Sequence, residues 1–311
     1  MMAARTGLLF VLGMLSIVSY AQDLAPRAYI ITPVGSNAVT LTYSFFAGNI
    51  LLDGSLPITA ATARSSVNVI SFTHSVRFFG RSANVTGSLP YGVGSFKGTV
   101  LGAESNAYRS GLLDSSFRFS VNLKGGPAMD VRDFLIWQQK TLLGVSLKVV
   151  APTGQYDPTR LINYGANRWA FKPEIALSRR RGHWLLDTYG AVWFFTGNND
   201  FFSRNRFSPT TNTQSQKPIF AFEAHLSYDV KRRLWASLDG NFWAGGETSL
   251  NGVEKAATLQ TNSRIGGTAS VPLGKHQSVK FSYSRGAYIR YGGNYDNVSI
   301  GWQYSWLGRP N

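Results

Sequence analysis

The sequence predicts an all-β protein: a transmembrane, antiparallel, up-and-down β-barrel of about twelve strands. Three observations carry that expectation. Segments that alternate apolar and polar residues recur along the whole chain, the connections between them alternate short and long, and the one long apolar run lies at the N-terminus.

The alternation is plainest near the end, in the stretch DNVSIGWQYSW of residues 296–306. Val298, Ile300, Trp302, Tyr304 and Trp306 occupy one face, and Ser299, Gly301, Gln303 and Ser305 the other, because successive side chains of a strand point to opposite sides. Equivalent segments span residues 37–46, 66–78, 83–91, 115–124, 141–150, 169–177, 184–195, 218–230, 234–243, 262–271, 278–285 and 297–306. No long segment of helical period accompanies them.

The connections alternate in length. Short ones carry Gly80-Arg81, Arg179–Arg181, Lys231–Arg233 and the stretch around Lys275, whereas residues 92–114, 151–168, 196–217 and 244–261 form long ones. Outer-membrane barrels have short periplasmic turns and long outer loops, an asymmetry that a soluble sandwich does not need. The connection 125–140 breaks the rule, being long where a short turn is due. It has room for a small helix.

Residues 1–21 combine Arg5, the apolar run GLLFVLGMLSIVS and the small-x-small stretch Ser19-Tyr20-Ala21. That is the layout of a cleaved signal peptide, and the run is short of the roughly 20 residues that a spanning helix requires. The expected organisation is a signal peptide over 1–21 and one barrel domain over 22–311, in the outer membrane of a Gram-negative bacterium. The absence of cysteine excludes a disulfide framework and a thiolate metal site. The net charge of +15 fits anionic headgroups better than nucleic acid, which an exported chain rarely meets.

Parity places Arg118, Lys148, Lys172, Glu174, Asp187, Glu223, His225, Asp239, Arg264 and Lys280 inside the barrel as candidate lumen-lining residues. Phe78, Tyr91, Tyr228, Trp302, Tyr304 and Trp306 are the candidate membrane-interface aromatics, since both edges of a bilayer favour amphipathic rings. Ile50, Leu51, Leu52, Val100 and Leu101 put apolar residues into the first two long loops, as a vestibule for an apolar solute would need.

Two stretches, APTGQYDPTRLINYGANRWAFKPEIALS (151–178) and LLDTYGAVWFFTGNNDF (185–201), resemble the family of outer-membrane transporters labelled for the meta-pathway of phenol degradation. The likeness continues through EAHLSYDV (223–230), LWASLDGNFWAGGETSLNGV (234–253), NSRIGGTASVPL (262–273) and the closing GWQYSW. It implies an outer-membrane barrel that passes small, often aromatic, compounds. One departure is that Trp306 is followed by five more residues, whereas such barrels commonly stop at a terminal aromatic.

A passive channel for small aromatic or hydrophobic compounds is the expected function, with Arg118 and Lys148 as the cations to hold an anionic group. The alternatives are a closed structural or binding barrel and an outer-membrane lipid hydrolase. For the hydrolase, His225 and Ser227 share a strand face, but no orienting third group is evident, so no catalytic role is expected. No cofactor is expected; Asn198, Asn199 and Asp200 offer too few oxygens for a calcium site. The expected partners are outer-membrane lipid and lipopolysaccharide, the barrel-assembly machinery through the last strand, and a small solute, with the chain a monomer.

Overall fold

A computed structural model describes residues 24–51, 58–100, 102–160, 162–202 and 212–308. The expected signal peptide, Leu52 and Leu101 lie outside the described residues.

The strands are β1 (Ser36–Leu51), β2 (Ile58–Phe78), β3 (Arg81–Val100), β4 (Ala103–Leu112), β5 (Ser116–Lys124), β6 (Thr141–Val150), β7 (Ala170–Arg181), β8 (Trp184–Phe195), β9 (Asn198–Phe201), β10 (Asn212–Gln216), β11 (Ile219–Lys231), β12 (Leu234–Gly245), β13 (Thr248–Leu250), β14 (Val253–Lys255), β15 (Gln260–Pro272), β16 (Gln277–Ile289) and β17 (Gly292–Leu307). Twelve of them close a ring in which each pairs antiparallel with its neighbours: β1, β2, β3, β5, β6, β7, β8, β11, β12, β15, β16 and β17. The last strand closes on the first, with Ser36 opposite Leu307 and Leu51 opposite Gly292. Closure leaves no unpaired edge, the condition for a sheet to cross hydrocarbon.

The outer surface carries a continuous apolar band. Leu41, Phe45, Ile70, Phe72, Phe117, Leu147, Ile175, Leu186, Phe222, Leu238, Phe281, Val298 and Ile300 are all exposed on it. A water-soluble protein does not present an apolar surface of that extent, and lipid is the solvent that suits it. The short-turn end is built from tight hairpins. Phe78 pairs with Arg81 across the two-residue turn Phe79-Gly80, whose positive φ values of 46° and 74° match the twist of the flanking strands.

The long-loop end differs from expectation in three places. Residues 92–100 continue β3, and β4 returns beside them as a spur off the ring, pairing Tyr91 with Leu112 through Val100 with Ala103. Gly92, Gly94 and Gly98 weaken the strand signal there, and only the ladder to β2 and β4 organises it. Between β16 and β17, where a long loop is expected, the strands extend until only Arg290 and Tyr291 connect them. Beyond β8 and β12, the connections form a second sheet in the order β14, β13, β10, β9. At the short-turn end, residues 125–140 hold the one-and-a-half-turn helix α1 (Val131–Ile136).

Candidate functional site

Residues 24–35, which precede β1, lie inside the ring rather than below it. Ile31 packs against Met129 and Leu142, and the Val34 and Gly35 amides donate to Met129 O (2.9 Å) and Ser75 O (2.8 Å), fixing the segment at the short-turn end. Farther in, the Tyr29 hydroxyl donates to Glu174 Oε1 (2.9 Å) and lies 2.8 Å from Ser146 Oγ. The Ala28 amide donates to the Tyr189 hydroxyl (3.1 Å), and the Arg27 guanidinium meets Asp229 at 2.7 Å beneath the Trp235 ring. Asp229 is shared with Arg180 of β7. Gly144 makes the space: a Cβ there would overlap the Tyr29 ring.

Above Tyr29 runs a chain of charged groups from the inward faces of β5, β7, β11 and β12, tied to β15 by Thr268. Arg118 donates to Glu174 (3.1 Å), Lys172 bridges Glu174 (2.8 Å) and Glu223 (3.0 Å), and His225 meets Asp239 through Nδ1 at 2.9 Å. Thr268 donates to the other oxygen of Asp239 at 2.7 Å. Within this chain each charge faces an opposite one, the arrangement that makes buried ions tolerable. Next to it, Val150, Ala170, Trp193, Ile219, Ala221, Trp243 and Ile289 form an apolar cluster inside the ring. On the arc from β5 to β12, the lumen is therefore filled.

The arc from β15 through β17 to β2 is not. Here a cavity of about 500 Å³ descends from Ile50 and Gly292 to Thr268 and Asp239. Its wall is formed by small polar residues on the inward parity, Thr42, Ser44, Ser282, Ser284, Asn297 and Ser299, each partly exposed to the lumen. Apolar residues line the cavity beside them: Phe46 of β1, Val67 and Val69 of β2, and Leu113 and Tyr164, which also pack together. Lys148 and Val150 of β6 and Ile219 of β11 bound the cavity from the packed side, and Arg264 of β15 stands at its border.

Residues 34–307 match the family described as "Putative MetA-pathway of phenol degradation". The chain belongs to that family. Its fold is that of the COG4313 outer membrane channel from Pseudomonas putida F1, with a TM-score of 0.77 at 17% identity over 91% of this chain and 100% of that one. The translocator domain of the autotransporter NalP from Neisseria meningitidis is more distant, with a TM-score of 0.50 at 12% identity over 88% of this chain and 89% of that one. The transport unit of AIDA-I from Escherichia coli reaches the same score at 10% identity over 92% and 94%. No curated protein sequence is significantly similar to this family member.

The ten residues placed inward by parity separate into different settings. Arg118, Lys172, Glu174, Glu223, His225 and Asp239 come together in the charged chain. Asp187 accepts the Arg27 amide at 3.2 Å. Lys148 and Arg264 line the cavity, and Lys280 stands exposed on the inward face of β16 with Nζ 5.8 Å above the Trp235 ring. His225 is 0% exposed, and its second nitrogen faces Glu223 at 3.5 Å rather than Ser227. Asn198 spends its side chain on Asn167, Tyr156 and the Ala166 carbonyl. Of the interface aromatics, Phe78, Tyr91, Tyr228 and Tyr304 are exposed on the outer surface. Trp302 and Trp306 are half-buried there, and Trp302 donates to Gln277 Oε1 at 2.9 Å.

Sequence reasoning missed the inserted segment, because residues 24–35 have no strand alternation and no partner close in sequence. One signal was present: Gly144 and Ser146 leave the inward face of β6 without bulk opposite the large residues of β8.

Proposed function

We propose that this chain is a narrow passive channel for small apolar or aromatic solutes in the outer membrane. The cavity takes up solute from the loop end, and the inserted segment restricts the way out at the periplasmic end. The single observation that carries the reading is the unfilled arc: one side of the ring is packed to closure, and the other keeps a cavity walled by small hydroxyl side chains. A barrel serving only as a structural element has no use for that asymmetry. We read residues 1–21 as a cleaved signal peptide, consistent with the short apolar run and the small-x-small site. We read the chain as non-catalytic, because both ring nitrogens of His225 face carboxylates, Asp239 and Glu223, rather than a hydroxyl that it could activate.

The rival is a closed structural barrel, favoured by the charged chain that braces five strands. Planar-bilayer conductance separates the two. The full-length protein should pass small currents, and Gly144→Leu, which displaces the Tyr29 ring, should raise them severalfold without changing the strand content. Silence from both proteins would establish the closed barrel.

A further inference from the structure

Arg264 stands out among the lumen cations. It is 1% exposed, projects inward from β15 and lines the cavity. Nη1 donates to Ser284 Oγ at 3.1 Å, and the guanidinium sits 4.3 Å from the centre of the Tyr295 ring. Nε and Nη2 have no hydrogen-bond partner among the described residues. These two donors form one edge of the guanidinium, the edge that grips a carboxylate or sulfonate through two parallel hydrogen bonds. Leaving a buried ionic edge unmade is costly, so a site that keeps one is shaped for an anion.

The surroundings select what the anion carries. The Tyr295 ring meets Phe46 edge-on with centroids 5.1 Å apart, and Phe46 leads to the apolar wall of Val67, Val69, Leu113 and Tyr164. The two carboxylates on the cavity wall are otherwise engaged: Asp239 by His225 and Thr268, Asp114 by the Gly154 and Ala166 amides. Farther toward the short-turn end on the same arc, Lys280 is the next lumen cation. We propose that Arg264, Ser284 and Tyr295 form an anion subsite for small aromatic carboxylates or sulfonates, held with the charged group on the Arg264 Nε/Nη2 edge and the ring against Phe46 and Tyr295. Of the two cations that sequence reasoning favours, Arg118 and Lys148, Arg118 is occupied by Glu174 and the Ala28 carbonyl.

The proposal deepens the channel reading, and its test keeps the two apart. The full-length protein, folded in detergent, is titrated with benzenesulfonate and with phenyltrimethylammonium, two permanently charged rings of similar size. The wild type should bind the anion and not the cation. Arg264→Gln should weaken anion binding about tenfold, the effect of losing a charge-assisted hydrogen bond. Arg264→Lys, which keeps the charge without the fork, should recover only part of it. Lys231→Gln, in an exposed short turn, should change nothing, and Tyr295→Leu gives a second variant should Arg264→Gln not fold. Equal binding of the two probes, or anion binding that survives both Arg264→Gln and Tyr295→Leu, overturns the subsite. Flux is then read in liposomes with the same probes. Binding without flux keeps the subsite and overturns the channel reading.

Discussion

The two sides of the lumen are built by different rules. From β5 to β12, inward residues are mostly buried, many of them large or charged, and the inserted segment fills the space over the small ones such as Gly144 and Ser146. From β16 to β1, inward residues are mostly Ser, Thr, Gly and Asn, and half-exposed, while those of β15 are buried at the border of the two sides. Both sides turn the same kind of apolar surface to the outside. The difference teaches that the outer pattern of a barrel reports its solvent, whereas the inner pattern reports what the lumen does: it braces on one side and leaves space on the other.

Breaking the braced side should have the largest effect. Glu174→Gln removes the carboxylate that Arg118, Lys172 and Tyr29 share, and unpairing buried charges of this kind costs about 3–5 kcal/mol. The midpoint of denaturant unfolding, read by the mobility difference between folded and boiled protein, should fall sharply. Ser299→Ala on the open side should move it by no more than roughly 0.5 kcal/mol.

The outer surface should respond next, and in the same way around the ring. Ile300→Arg places a charge in lipid at a cost of about 2–4 kcal/mol near the midplane, while Ser299→Arg turns its charge into the lumen and should be milder in stability. Equal costs at the two positions would mean that the lumen is not wet on that side. Trp306→Asp should lower the yield of folded protein more than Ser305→Asp, with a cost nearer 1 kcal/mol because the bilayer edge is more tolerant.

The smallest effect belongs to the loop beside β4. Hydrogen bonds from the Thr159 hydroxyl and amide hold the Asp157 carboxyl below the usual carboxylate range. Because the folded value is the lower one, the stabilisation is complete above the unfolded value and is lost as pH falls through the folded value. Amide exchange over 157–163, corrected for intrinsic rates, should therefore quicken below the ordinary aspartate range, and Thr159→Val should weaken that dependence.

Much of the ring is legible in the sequence because period-2 alternation survives wherever one strand face meets lipid. Residues 141–150 and 184–195 coincide with β6 and β8, and the other ring strands are recognisable apart from their ends. Legibility fails above the membrane, where β3 and β4 extend through Gly-rich sequence that no apolar solvent constrains. It fails again inside, since parity says only that a side chain points inward. Arg118 and Arg264 are alike in sequence terms; a tyrosine 89 positions upstream of the first occupies one, and the other faces a cavity.

The central claim is that solute moves along the β15–β2 arc. The chain has no cysteine, so single cysteines can be placed at inward positions on either side and tested with a small, water-soluble, thiol-specific reagent during bilayer recording. Ser299→Cys and Thr42→Cys should react quickly and cut the current, whereas Ser227→Cys, at a position 0% exposed on the braced side, should react slowly and leave it unchanged. Rapid reaction at Ser227→Cys with loss of current, and none at Ser299→Cys, would contradict the account.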